Sequence, residues 1–264
     1  MSTPCELILF THTKSKADDI ANAILSETKR LEKKYSYYRE DSILSKINNR
    51  IILNIDSETK NILQRAKKYY NITNGVFDIT IATIKELYCN ISNEKELQNR
   101  KLFFKEFIGC EHFSIKRDKI IFDNPYTKID LGGFVKEYAV DRAIMILKKN
   151  KIVSALINYG GDIYALGRKP DDTKFSIGIK NPLNQKEFIS NVLLENEALT
   201  TSASYERSYK VGSKEYSHIL SKIDYEDSPN SVSVISDNCV ESGVFSTSMM
   251  LDKNIETKNR VIIF

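Results

Sequence analysis

Residues able to hold a phosphate gather around two glycine pairs. Glycine is scarce in this chain, ten residues of 264, and four of the ten form Gly132-Gly133 and Gly160-Gly161. The first pair lies in Ile129-Asp130-Leu131-Gly132-Gly133-Phe134-Val135-Lys136-Glu137-Tyr138-Ala139-Val140-Asp141, which reads as a strand end, a tight turn and a helix start. Glycine lets a backbone approach a ligand closely. The N–H groups of a first helical turn lack partners and face any anion placed there. Asp130, Lys136 and Glu137 flank this turn. Close packing of strand on helix explains the same glycines without a ligand. The second pair precedes Asp162 and marks another point where the backbone turns sharply or is approached. A hydroxyl-rich segment runs from Ala198 to Arg207 and includes Thr201 and Ser202. Tyr35, Tyr37 and Tyr38 form either a partly buried helix end or an aromatic wall for a flat ligand.

These residues need elements to position them. Apolar spacing predicts strands over Cys5 to Phe10, Ile51 to Ile55, Ser154 to Asn158, Ile163 to Leu166, Phe175 to Ile179, Phe188 to Leu194, Ser231 to Ile235 and Val261 to Phe264. Tyr216 to Leu220 is short and strand-like, and a hairpin is expected over His112 to Ile115 and Lys119 to Phe122. Helices are expected over Lys16 to Tyr37, a short stretch begun by Asp41 or Ser42, Ser57 to Tyr70 capped by Ser57, the glycine turn to about Asn150, and Ser242 to Leu251. Ile81 to Lys105 is charged and predicts surface helices, and Asn74-Gly75 predicts a turn. Strands and helices alternate irregularly and hairpins occur, so the expected class is α+β rather than a doubly wound parallel fold. With no repeat and no Pro/Gly-rich linker, one unit spanning 1–264 is expected.

Charge and composition narrow the function classes. The net charge of +4 comes from 39 basic and 35 acidic residues, a near balance that gives no support to nucleic-acid binding. Cys5, Cys89, Cys110 and Cys239 are far apart and make no CxxC, so neither a zinc site nor a disulfide framework is expected. No apolar run reaches about 18 residues, so no membrane span is expected. No signal peptide is visible, which makes the expected location cytoplasmic, or periplasmic if a leader has been removed.

Taken in order, several segments resemble the ApbE family, the FAD:protein FMN transferases. Met1-Ser2-Thr3-Pro4 is similar to its opening Met-Gly-Thr, and Ser42-Ile43-Leu44-Ser45-Lys46-Ile47-Asn48 to its S-x-L-S-x-x-N. Thr73-Asn74-Gly75-Val76-Phe77-Asp78-Ile79-Thr80 resembles T-x-G-x-F-D-x-T, and Ile129 to Asp141 resembles D-L-G-G-I-A-K-G-Y-A-V-D. Asn158-Tyr159-Gly160-Gly161-Asp162-Ile163 resembles N-x-G-G-D-I, Thr201 to Arg207 resembles T-S-G-x-Y-E-R, and His218-Ile219 matches an H-I pair.

The resemblance implies an α+β fold of mixed and antiparallel sheets that holds FAD in a cleft between subdomains. It implies Mg²⁺-dependent transfer of FMN from FAD to a Thr or Ser hydroxyl of an acceptor flavoprotein, with AMP released. It leaves room for a homodimer. By this resemblance Lys136 balances phosphate charge and His218 takes the proton of the acceptor hydroxyl. Asp78, Gly132, Gly133, Gly160, Gly161, Asp162, Thr201 and Ser202 contact the flavin nucleotide. The Gly133 carbonyl and Thr247 ligate the metal. Each has a plainer role: Asp162 as a turn residue, Thr201 and Ser202 as helix caps, Lys136 as a solvated charge.

Three departures stand at the chemistry. The family's C-terminal A-D-A-L-x-T becomes Ser242-Gly243-Val244-Phe245-Ser246-Thr247, so Gly243 replaces the metal-binding Asp. Glu137 stands where the family has Gly after Lys136, and Ser221-Lys222-Ile223-Asp224 lacks D-P-x-T-G. Glu241, Asp237 or water are the candidates for the missing oxygen, with Glu241 about 200° around a helix from Gly243. Alternative functions are a flavin-binding relative with weakened transfer and an interaction subunit for a flavoprotein.

Overall fold

The computed structural model describes residues 3–184, 186–204, 208–223, 225 and 228–264. The chain opens with β1 (Cys5–Leu9), α1 (Lys14–Tyr35), α2 (Ile43–Asn48) and α3 (Ser57–Ile72). A 3-10 turn at Ile79–Ile81 leads into α4 (Ala82–Asn90) and α5 (Glu94–Lys105), then β2 (Phe113–Lys116), β3 (Lys119–Phe122) and α6 (Gly132–Lys149). The second half is mainly strand: β4 (Ala155–Tyr159), β5 (Asp162–Leu166), β6 (Phe175–Lys180), β7 (Phe188–Leu194), β8 (Glu197–Ala203), β9 (Ser208–Val211), β10 (Lys214–Ser217) and β11 (Ser231–Ser236). It closes with α7 (Cys239–Leu251) and β12 (Arg260–Ile263).

Six strands form one antiparallel sheet in the order β1-β4-β5-β8-β11-β12, and β2-β3, β6-β7 and β9-β10 are separate hairpins. The architecture is α+β, as the irregular alternation predicts. Period-two patterning gives the large sheet two apolar faces. Ala155, Ile157, Tyr159, Tyr164, Leu166 and Ala198 pack with α1, α3 and α6. Ile163, Ala165, Leu199 and Ile235 point the other way, onto Phe175, Ile179, Val192 and Leu194 of the β6-β7 hairpin. Every residue of β5 is therefore buried.

Several local expectations change. Ile51 to Ile55 is not a strand; the segment makes a single bridge, Asn54 to Lys119, as it crosses the end of β3. Helix α3 is capped by Asp56, whose Oδ1 accepts from Thr59 N at 2.8 Å, because Asp56 keeps extended dihedrals and Ser57 is already helical. Tyr37 and Tyr38 lie beyond the end of α1, since Ser36 is extended. Helix α4 is not a surface helix: Ile84, Leu87 and Tyr88 pack against Leu97, Ile108 and Val211. Only Lys214–Ser217 of the second short strand region pairs, leaving His218 beyond its end. No helix among the described residues is long and apolar enough to cross a membrane.

Candidate active site

The two glycine pairs act differently. Gly160 and Gly161, at φ 60° and 97°, make the two-residue turn between β4 and β5, with both central residues left-handed as such hairpins require. A Cβ on Gly160 would collide with Thr3 Oγ1, and the positive φ strains any other residue there. The turn is closed by Asn158 Oδ1, which accepts from Gly161 N at 2.9 Å. Gly132 and Gly133 make no such turn. They form the first turn of α6, with Gly133 kinked at φ −90°, ψ 21°, and the preceding residues 129–131 belong to no sheet, Leu131 already having turned to φ −104°, ψ 14° as the N-cap. A Cβ on Gly133 would meet nothing within 4 Å. That glycine is open to a ligand rather than squeezed by packing.

The approach to α6 is held from outside. Asn48 Oδ1 accepts from Ile129 N and Asn48 Nδ2 donates to Ile129 O, each at 2.8 Å, so one side chain replaces a strand partner. Ser42 caps α2 by accepting from Ser45 N at 2.9 Å and ties it back to Ser36 O at 2.7 Å. The S-x-L-S-x-x-N segment is thus a brace for Ile129. Asp78 has a similar task. Its Oδ1 accepts from Thr80 N at 2.8 Å and Thr80 Oγ1 at 2.6 Å, and Ile79 O receives Asp130 N at 2.8 Å. Burial pushes the Asp78 carboxyl up.

The glycine turns and the Asp78 segment border one cavity of about 810 Å³, a volume within the range that accepts a nucleotide-sized ligand, while α2 braces it from behind. Its wall includes Asp78, Gly132, Gly133, Lys136, Gly160, Asp162, Thr201, Ser202, His218 and Thr247. Gly161 is absent from the wall and serves the turn. Thr201 and Ser202 do not cap a helix; they lie in β8, where Thr201 Oγ1 meets Ser233 Oγ at 2.7 Å and Ser202 Oγ meets Ser246 Oγ at 2.9 Å and Thr247 Oγ1 at 3.3 Å. Tyr205, Glu206, Arg207 and Asp224 lie outside the described residues.

Helix α6 and strand β5 bring Lys136, Glu137 and Asp162 to the wall together. Lys136 Nζ lies 2.7 Å from Oδ2 of Asp162, which is 1% exposed. Lys136 is therefore an ion-paired cation of the wall, not a solvated charge. One residue on, Glu137 is buried, and its Oε2 has no hydrogen-bond partner among the described residues. Burial first, and then the charge of Asp162, push the Glu137 carboxyl up to about 8. One turn further, Asp141 Oδ1 and Oδ2 accept from Cys239 N at 2.7 Å and Val240 N at 3.2 Å, fixing the start of α7 to α6. Burial outweighs those donors and raises the Asp141 carboxyl to about 6.

Sequence reasoning missed Lys85. Its Nζ is 2.5 Å from Asp130 Oδ2 and 4.8 Å from the ring centroids of both Tyr37 and Tyr38, at the cavity wall. The tyrosines were visible as an aromatic cluster, but nothing in the spacing links residue 85 to residue 130. Burial opposes the Lys85 charge, yet Asp130 holds its pKa above the ordinary value.

Among the described residues no group of three or more His, Cys, Asp or Glu side chains is placed to hold a metal ion. Two expected substitutes for the missing Asp are ruled out by position. Helix α7 starts at Cys239, not later, and Glu241 takes hydrogen bonds from Asn238 and Asn259 away from the cavity wall. Asp237 is exposed and also outside the wall. Hard oxygen donors are nonetheless present on the wall, in Thr247, the Gly133 main chain and Glu137. The unpartnered Glu137 oxygen fits a hard divalent cation that keeps part of its water shell.

An antiparallel sheet backed by α1, α3 and α6, with a cavity of mixed polar and apolar lining at the start of α6, defines an α+β protein with a nucleotide-sized site. The model of the ApbE family matches residues 1–260. The chain belongs to the ApbE family. The FAD:protein FMN transferase of Klebsiella pneumoniae (strain 342) is 24% identical over 294 residues, covering 100% of this chain and 89% of its own. The FAD:protein FMN transferase of Vibrio cholerae (classical Ogawa strain) is 23% identical, covering 82% of this chain and 68% of its own. Among solved structures, the ApbE protein of Thermotoga maritima superposes with a TM-score of 0.87 at 26% identity, over 99% of this chain and 90% of that one.

Proposed function

We propose that this protein transfers FMN from FAD to a hydroxyl of an acceptor protein. The observation that carries the reading is the convergence of distant segments on one 810 Å³ cavity that includes Lys136, Asp162, His218 and Thr247. The curated relatives named FAD:protein FMN transferase support it.

In the proposed reaction a Thr or Ser oxygen of the acceptor attacks the phosphorus of the FMN half of FAD. A P–O bond forms there, the P–O bond to the AMP phosphate breaks, and AMP leaves with the electron pair. His218 accepts the hydroxyl proton, which requires neutral imidazole. Lys136, oriented by Asp162, faces the pyrophosphate charge. The flavin ring packs near Tyr37 and Tyr38, and the open backbone at Gly133 admits the phosphates. A bound Mg²⁺ would be held by Thr247 and the Gly133 carbonyl, where it would neutralise phosphate charge.

A test mixes the protein with FAD, Mg²⁺ and an acceptor carrying a Thr in its flavinylation segment. A fluorescent acceptor band on a denaturing gel, with a mass gain of one FMN, is the expected result. His218→Ala should keep FAD binding and slow the band's appearance about a hundredfold. Equal loss of binding and transfer would remove His218 from the proton step. A second reading, a flavin-binding relative that does not transfer, draws on Gly243. FAD fluorescence quenching without any labelled acceptor would favour it.

A further inference from the structure

Two of the departures from the family pattern meet in space. A Cβ built on Gly243 would lie 2.5 Å from Glu137 Cγ and 3.1 Å from its Cδ. Real side chains do not approach so closely, and the atom struck is mid-chain rather than a flexible end. Glu137 is only 4% exposed, so it has little room to withdraw. The side chain of Glu137 thus fills the volume into which a side chain at 243 would project. Gly243 and Thr247 are one helical turn apart on the same face of α7. Glu137 therefore reaches, from α6, the place beside Thr247 that an acid on α7 would otherwise occupy.

The carboxylate placed there is unusual for a buried group. Its Oε2 finds no donor among the described residues, although buried carboxylates ordinarily take several hydrogen bonds. The residue lines the same cavity as Thr247 and Gly133. Packing alone would be better served by an apolar residue such as Leu at this position.

We propose that Glu137 supplies the anionic oxygen ligand of a divalent cation site with Thr247, in place of the residue that Gly243 lacks. The carboxylate has moved from α7 to α6, and the glycine at 243 is the space it needs. This rests on the transferase reading only for the identity of the nucleotide. The cation itself can be measured separately.

The probe is Mn²⁺, followed by electron paramagnetic resonance, with FAD binding followed by fluorescence in the same samples. The wild-type protein should bind one Mn²⁺, measured with and without FAD. Glu137→Gln, nearly isosteric, should weaken that binding about tenfold or more while leaving the circular dichroism unchanged. The exchange Glu137→Gly with Gly243→Asp should bring affinity back to within about threefold of wild type. Glu137→Gln binding Mn²⁺ as tightly as wild type would overturn the proposal. So would a wild-type protein that binds FAD but no Mn²⁺ in either condition, and that result leaves the flavin reading standing. Mn²⁺ bound through Glu137 without any FAD binding would sink the flavin reading instead and keep the cation site.

Discussion

Two groups of carboxylates in the helical part of the molecule behave in opposite ways. Between α1 and α3, Glu58 takes Arg30 at 2.6 Å and Lys34 at 2.8 Å, and Glu27 takes Arg30 at 2.8 Å and Arg142 of α6 at 2.9 Å. Hydrogen bonds from Arg30, against the opposing effect of burial, hold Glu58 down to about 2. Between α6 and α7, Glu137 and Asp141 are buried beside Asp162, and their carboxyls are pushed up instead. The first group, with Asp56 on Lys34 as well, matches each acid with a cation and is partly exposed. The second has Lys136 within reach of one acid and leaves Glu137 unsatisfied. Surface pairs of the first kind tie helices together at small gain. Buried acids of the second kind cost stability and mark a place where a ligand completes the charge.

The comparison is most directly broken at Lys136. Lys136→Met removes the cation from Asp162 and leaves that carboxylate buried without it, so unfolding free energy at pH 7 should fall by about 3 kcal/mol. Urea denaturation measures it; a change below about 1 kcal/mol would mean that Asp162 does not depend on Lys136.

Gly243→Ala tests whether the α6–α7 contact is as full as it looks. The added methyl meets Glu137 Cγ, and overpacking of this kind costs about 2 kcal/mol. The loss should vanish when Glu137→Gly is added, which a double-mutant cycle reads as coupling of about the same size.

Asp141 sharpens the contrast in pH dependence. Its folded value, about 6, lies above the ordinary 3.8, so the folded state holds more protons between these pH values. Stability contributed through this group therefore falls as pH rises from about 4 to 6. Asp141→Asn cannot ionise and should flatten that decline, gaining up to about 3 kcal/mol on wild type across the window. An unchanged difference at pH 4 and pH 6 would show that the group titrates normally.

The smallest effect belongs to Glu58. Its value is depressed, so its contribution is present above pH 4.5 and is lost as pH falls toward 2. Partial exposure screens the attraction, and Glu58→Gln should cost about 1 kcal/mol at pH 7, read from thermal melts. If this cost exceeded that of Lys136→Met, the assignment of the two groups to stability and to ligand binding would be reversed.

The large outlines of the fold were legible because apolar periodicity reports burial directly. Strand β4, the β6 and β7 pair, and α6 fall within a residue or two of their expected spans. Ile51 to Ile55 misled because β-branched residues read as strand, while here they cross a hairpin end with Ile51 mostly exposed. The wall of the cavity was legible through glycine pairs and polar clusters. Two things were not. Asn48, Ser42 and Asp78 sit in segments that look like ligand motifs, yet the hydrogen bonds drawn above are internal braces. A linear pattern marks a fixed residue without saying whether it is fixed by ligand or by backbone. The link between Glu137 and Gly243 was equally hidden, since 106 positions separate two departures that share one volume.

That shared volume also governs the order in which the two positions can change. With Glu at 137, every side chain at 243 collides, so substitutions tested one at a time will score position 243 as intolerant. Small residues at both positions are sterically open but leave the site without its charge. Acids at both would crowd two carboxylates against Asp162. A lineage can exchange one arrangement for the other only through one of these two poor intermediates. A library that varies 137 and 243 together should therefore recover functional pairs that no single-site scan of this protein can reach.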